Sequence, residues 1–240
     1  MKDSQEKMTQ NLQAIIFDFD YTLADSSRGV VECINFALDS LDLPTVSAEQ
    51  ACRTIGISLP NTFLELAGQG HSAQSDEFVR LFIKRADEVM ADMTVLFEAV
   101  PQTVRLLKKR GHKLGIVSTK FRYRIETILK REGLSDVFDV VIGGEDVAKH
   151  KPNPEGLQMA LHRLGCSPVD TLYVGDSLTD ADTAKRAEVP FVAVFSGATQ
   201  KDEFEGYKVF KFLENVGELP DLLEVRMQNF ATQVVLSDST

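Results

Sequence analysis

Apolar positions along this chain fall into two rhythms. From Lys113 onward, short apolar runs alternate with stretches whose apolar residues recur at helical spacing. Residues 113–118 read as a strand. Residues 122–132 read as a helix with Ile125, Ile128 and Leu129 on one face and Gly133 beyond its end. A strand over 137–142 runs into Gly143-Gly144, and a helix over 154–164 has Pro154 in its first turn and Gly165 after its last. A strand at 171–174, a helix at 179–187, a strand at 191–195 and an edge strand at 207–210 complete the series. Alternation of this kind predicts an α/β fold with a doubly wound parallel sheet. Right-handed crossovers then place helices on both faces.

Between residues 27 and 99 only the helical rhythm is present. Val30, Ile34, Ala37, Leu38 and Leu41 form one stripe, Phe63, Leu64 and Ala67 a second, and Phe78, Val79, Phe82, Ile83 and Met90 a third. The expectation is an all-helical cap over 27–99, inserted into a core built from 1–26 and 100–240. Insertion at such a loop is well tolerated, and a unit leaving from a strand end sits over that end as a lid. The tail from about Arg226 is mixed in polarity, with Val234-Val235-Leu236 as a short apolar run able to dock.

The first strand carries the chemistry. Ile15-Ile16-Phe17-Asp18-Phe19-Asp20-Tyr21-Thr22-Leu23 is an apolar run that breaks into two carboxylates one residue apart. Such runs are buried strands of parallel sheets, and ligands bind beyond the carboxyl ends of those strands. Asp18 and Asp20 share parity and so point to the same side of an extended backbone. Two like charges there repel unless a cation intervenes, and a hard oxygen-seeking ion such as Mg2+ suits them. A lone Asp-x-Asp reads more readily as an acidic turn. Three further strand ends weigh against that: Ser118-Thr119-Lys120, the run Lys149-His150-Lys151-Pro152-Asn153-Pro154, and Gly175-Asp176-Ser177-Leu178-Thr179-Asp180.

These four segments, in this order and spacing, resemble the motifs of the haloacid dehalogenase superfamily, in its phosphoglycolate phosphatase-like branch with a helical cap. The resemblance spans nearly the whole chain and extends through Asp25 and Ser26. It implies Asp18 as nucleophile and Asp20 as general acid and base. It implies Ser118, Lys151 and, more remotely, Thr119 as phosphate-binding groups, with Thr22 beside them as a restraint on Asp20 or its loop. Mg2+ is implied on Asp18, the main-chain carbonyl of Asp20, and Asp176. Asp180 then orients the metal shell, a role that Asp182 is also near enough to take. The expected activity is a Mg2+-dependent phosphatase forming an aspartyl-phosphate, with phosphoglycolate as the leading substrate. A phosphosugar mutase, a pyrophosphatase and a non-enzymatic scaffold stand as alternatives. Arg53, Gly56 and Asn61 lie where a cap loop would face the pocket. Arg53 there is either a partner for a substrate carboxylate or an exposed helix arginine.

Two residues depart from the branch pattern, which has glycine where Tyr21 and Glu188 stand. Glycine reaches backbone angles that other residues avoid, so altered loop geometry is expected at Tyr21 and a modest stability effect at Glu188. Lys120, Lys149 and His150 read as surface groups.

Composition narrows the partners. An excess of 36 acidic over 26 basic residues disfavours nucleic acid. No apolar run reaches the ~18 residues of a membrane helix, and the first residues lack the apolar segment of a secretory signal. The cysteines, Cys33, Cys52 and Cys166, are odd in number and form no Cys-x-x-Cys pair, which fits a reduced, cytoplasmic setting. A small phosphorylated molecule is the expected partner, and both monomer and homodimer stay open.

Overall fold

The computed structural model describes residues 12–224; the apolar run Val234-Val235-Leu236 lies outside them. Six strands form one parallel sheet in the order β5-β4-β1-β6-β7-β8. They are β1 (Ala14–Phe17), β4 (Lys113–Val117), β5 (Val140–Ile142), β6 (Thr171–Gly175), β7 (Phe191–Val194) and β8 (Val209–Leu213). Strand β1 is central, with Phe17 opposite Ile116 of β4 on one side and Val174 of β6 on the other. The two-residue period of a strand divides its side chains between two cores. Ile15 and Phe17 join Leu114, Ile116, Leu172 and Val174 on one face, whereas Ala14 and Ile16 join Tyr173, Phe191 and Ala193 on the other. Helices α5 (Val100–Lys109) and α6 (Arg122–Arg131) cover the first face; α7 (Glu155–Leu164) and α8 (Leu178–Arg186) cover the second. Burial on both faces is why these strands read as continuous apolar runs.

Residues 27–93 contain α1 (Ser27–Asp39), α2 (Ala48–Cys52), α3 (Leu59–Ala67), a 3-10 stretch over Gln69–Gln74 and the long α4 (Ser75–Met93). They pack around a third apolar cluster that includes Cys33, Ile34, Leu38, Phe63, Phe78, Phe82 and Met90. The Phe63 and Phe78 rings stack with centroids 4.8 Å apart. Gly29 lets α1 lie close against α4, since a β-carbon there would come within 2.7 Å of Met90 Sδ. The chain leaves the sheet through β2 (Ala24–Asp25) and returns through β3 (Val95–Leu96). These short strands pair antiparallel, Ala24 with Leu96 and Asp25 with Val95. Among the described residues no helix is long and apolar enough to cross a membrane.

The structure refines the sequence reading in three places. Strand β5 begins at Val140 and not at 137, because Asp139 turns its carboxylate onto the Leu114 N–H at 2.8 Å. The edge strand lies at Val209–Leu213, later than expected. Helix α5, which the periodicity did not mark, starts with Pro101 in its first turn, a position where the missing N–H costs nothing.

Helix α8 ends on Glu188, whose φ of 58° is in the left-handed region. The Val189 N–H returns to the Ala184 carbonyl at 2.9 Å and the Glu188 N–H to that of Lys185, the hydrogen-bonded stop that normally uses glycine. A side chain in this conformation costs ~1–2 kcal/mol, partly offset by glycine's greater freedom in the unfolded chain. Glu188→Gly is therefore expected to stabilise the protein by about 1 kcal/mol. A urea midpoint that stays put or falls would contradict this account.

Candidate active site

The carboxyl ends of β1, β4 and β6 meet at one edge of the sheet, and the functional groups are the residues that follow them. The Asp18 N–H is fixed to the Val174 carbonyl at 2.8 Å, which continues the β1–β6 ladder by one residue. Asp18, Asp176 and Asp180 then converge, each offering an oxygen within 4.8 Å of the others, and all three are buried. Lys151, brought in by the loop before α7, lies 2.8 Å from Asp18 Oδ1 and 2.7 Å from Asp180 Oδ1. Three carboxylates thus share one ammonium, and two negative charges have no cationic partner.

Burying such a group is costly unless the charge is matched. Burial, resisted by Lys151, pushes the Asp18 carboxyl from 3.8 up to about 7. Burial and the neighbouring Asp180 and Asp18 raise Asp176 well above its ordinary range. For Lys151 burial favours loss of the proton, but Asp18 and Asp180 overcome it and hold the ammonium well above its usual value.

Asp180 has little capacity to spare. Its Oδ1 accepts from Lys151 and from the Tyr173 hydroxyl (2.9 Å), and its Oδ2 from the Ser177 hydroxyl (2.6 Å) and N–H (3.2 Å). A carboxylate offers roughly four lone pairs, and protein donors take them all. The Asp180 N–H in turn donates to Ser177 Oγ, so the same pair caps α8. Gly175 makes this approach possible, because a β-carbon there would fall 2.5 Å from Asp180 Cγ. Asp182 faces Tyr207 instead.

Asp18 Oδ1 is different. It is buried and accepts no hydrogen bond in good alignment, although Lys151 is at ion-pair distance. An oxygen-only donor set, a surplus of two negative charges and an unsatisfied buried oxygen fit a hard divalent cation. Asp18 and Asp176 have the freedom to ligate it, and Asp180 holds Lys151 and the loop in place.

Asp20 occupies a separate arrangement. Its Oδ1 accepts from Ser26 Oγ at 2.6 Å and lies 2.9 Å from Lys120 Nζ. Thr22, expected to bind phosphate or restrain Asp20, is fully buried and donates instead to Asp176 Oδ1 at 3.3 Å. Lys120, expected at the surface, is only 8% exposed and is the ionic partner of Asp20. Ser118 is buried beside them, where its Oγ accepts from the Lys120 N–H, and Thr119 is half-buried. Arg53 is not brought into this group: it is exposed and pairs with Glu49 at 2.7 Å on its own helix. Asn61 is exposed, whereas Gly56 reaches the site, with its β-carbon position 4.0 Å from Ser177 Oγ. His150 is exposed, as expected.

Tyr21 keeps the loop geometry that glycine would give. Its φ is 60°, and the turn is tied by its N–H to the Ala24 carbonyl and by Ser196 Oγ–H to its own carbonyl. Burial, followed by the nearby Cys52 thiol at the end of α2, raises its phenol above the ordinary value. Sequence reasoning missed Tyr173 as well as Lys120. A phenol inside the short buried strand 171–174, with apolar Leu172 and Val174 on either side, was the available signal.

A parallel α/β sheet with a buried carboxylate cluster and two buried lysines at its carboxyl edge has its ligand site where open parallel sheets place them. Residues 15–194 match the haloacid dehalogenase-like hydrolase family, and the chain belongs to that family. It is 34% identical over 209 residues to the phosphoglycolate phosphatase of Salmonella typhi, covering 78% of this chain and 83% of the relative. It is 30% identical over 217 residues to the pyrophosphatase PpaX of Bacillus velezensis, covering 90% and 99%. A crystal structure of a haloacid dehalogenase-like hydrolase from Bacteroides fragilis superposes with a TM-score of 0.83 at 42% identity, covering 86% of this chain and 99% of that one.

Two measurements test this electrostatic account. Lys120→Met leaves the Asp20 carboxylate buried without its counter-charge and is expected to cost about 3 kcal/mol in urea unfolding. The double variant Lys120→Met/Asp20→Asn should recover a large part of that loss. Strictly additive losses would show that the pair is not coupled. In chelator, between pH 3.8 and about 7 the folded protein retains an Asp18 proton that the unfolded chain has released. The Asp18 contribution to metal-free stability is therefore fully present below that window and is lost as pH rises through it. Asp18→Asn should flatten the decline; an unchanged slope of Tm against pH would refute the assignment.

Proposed function

We propose that this protein is a Mg2+-dependent phosphomonoester hydrolase that works through an aspartyl-phosphate on Asp18. The observation that carries the reading is the buried Asp18 oxygen, unsatisfied by any aligned donor, beside Lys151 at 2.8 Å. Asp18, Asp176 and the main-chain carbonyl of Asp20 would hold the metal, and a bound Mg2+ supplies charge neutralisation for the phosphoryl group.

The chain's own groups do the rest. Lys151 and Ser118 bind phosphoryl oxygens, which screens the anionic nucleophile from an anionic substrate. The free Asp18 oxygen attacks phosphorus in line, and the bond from phosphorus to the alcohol oxygen breaks. Asp20, which has to enter this step protonated on the oxygen that Lys120 and Ser26 leave open, gives the alcohol oxygen its proton. The resulting Asp20 carboxylate takes a proton from water, which attacks the phosphoryl group, releases inorganic phosphate and restores Asp18. Lys120 and Ser26 fix Asp20 for both transfers. Residues 27–99 act as the lid over this edge. The names of the relatives, phosphoglycolate phosphatase and pyrophosphatase, share the transferred group and differ in what leaves. They support phosphoryl transfer to water as the reaction, and phosphoglycolate and pyrophosphate as the first compounds to try.

The expected result is Mg2+-dependent phosphate release from a panel of monoesters. Asp18→Asn should abolish it by at least a thousandfold. Independently of turnover, Mg2+ should raise the Tm of the wild-type protein and leave that of Asp176→Asn unmoved, since a ligand of the folded state stabilises by mass action. Release that persists in Asp18→Asn, or a Tm indifferent to Mg2+, would rule out this mechanism.

A further inference from the structure

Beside Asp20 the structure contains a cavity of about 220 Å³ between the sheet edge and the helical insert. One end is formed by Asp20, Thr119 and Lys120. The walls are mainly apolar: Ile34, Ile55, Ile57, Val79, Phe82 and Phe121 supply much of the surface. Its position follows from the chemistry, because the acid that protonates the leaving oxygen must face the space where the leaving alcohol lies.

The charges on this wall are already matched. Lys120 pairs with Asp20 at 2.9 Å. Arg124, on α6, is buried, lies against the Phe121 and Tyr123 rings and pairs with Asp87 of α4 at 2.6 Å. It also donates to the Ile83 carbonyl at 3.1 Å. Arg53, the cation expected for a substrate carboxylate, points elsewhere. The Thr54 hydroxyl donates to the Ala51 carbonyl at 2.8 Å, and the other hydroxyls on the wall, Ser58, Thr62 and Thr119, are neutral. His150, also on the wall, is exposed at the rim. A carboxylate or a second phosphate inside would be desolvated without an unpaired buried cation to meet it, which is costly.

We propose that this site selects phosphate monoesters whose leaving alcohol is uncharged and apolar, of roughly benzyl size, over phosphoglycolate and pyrophosphate. A cavity of about 150 Å³ already takes benzene, so this one holds a six-membered ring and a linking carbon. The inference rests on the phosphatase reading above and adds the substrate class.

The test is kcat/KM with Mg2+ for benzyl phosphate, ethyl phosphate, phosphoglycolate, pyrophosphate and a hexose 6-phosphate. Benzyl and ethyl phosphate both release unactivated alcohols, so their ratio reports the pocket. Benzyl phosphate is expected to exceed each of the others at least tenfold, and Ile57→Asn to bring the benzyl-to-ethyl ratio down towards one. Equal or better turnover of phosphoglycolate, pyrophosphate or the hexose phosphate overturns the proposal and leaves the phosphatase reading intact. If none of the five is hydrolysed, the phosphatase reading fails and calorimetry on the Asp18→Asn protein decides the pocket. Benzyl phosphate binding tenfold tighter than ethyl phosphate then supports it, and equal binding overturns it.

Discussion

The ion pairs of Lys151 with Asp18 and Asp180 are the constraint on which the rest of this site depends. Three carboxylates would not remain buried within 4.8 Å of one another without that ammonium. Its position is in turn fixed by Asp180, which is fixed by Tyr173 and Ser177. A side chain from a loop, a hydroxyl from a central strand and the cap of a helix therefore lock together. Asp180 is thereby filled by protein donors, whereas Asp18 keeps a buried oxygen that accepts no aligned hydrogen bond.

Much of the architecture was legible because its signals are local. Strand ends marked by Asp18, Ser118 and Asp176 follow apolar runs, and glycines or prolines bound the intervening helices. What could not be read were partnerships across long chain separations. Lysine is usually exposed, so Lys120 carried no mark of burial; only the packing of β4 against β1 brings it to Asp20. Thr22 sits two residues from Asp20 in sequence, yet the turn through Tyr21 carries its hydroxyl to Asp176. For Arg53 the sequence left two readings open, and the structure places it in the exposed one, paired with Glu49 one helical turn away.

The positions with unusual residues, Tyr21 and Glu188, both retain left-handed backbone. Their surroundings differ in what holds them. At Glu188 the helix-ending hydrogen bonds alone enforce the angle. At Tyr21 the turn is clamped by Ala24 and Ser196, and the Cys52 thiol lies near its phenol. The same backbone angle is thus held at a helix end in one place and at the turn beside the carboxylates in the other.

The two-residue ribbon of β2 and β3 brings the two chain crossings of the insert side by side. Because the departing and returning strands are bonded to each other, the separation of the two chain crossings does not depend on what lies beyond them. The spacing of the crossings is therefore set at the ribbon, while the seating of the helices on the sheet edge is set by contacts such as Arg124 with Asp87 and with the Ile83 carbonyl. A change in helix length within residues 27–93 can then be taken up beyond the ribbon, with the end of β1 at Asp18 left in place so long as the Arg124–Asp87 pair is kept.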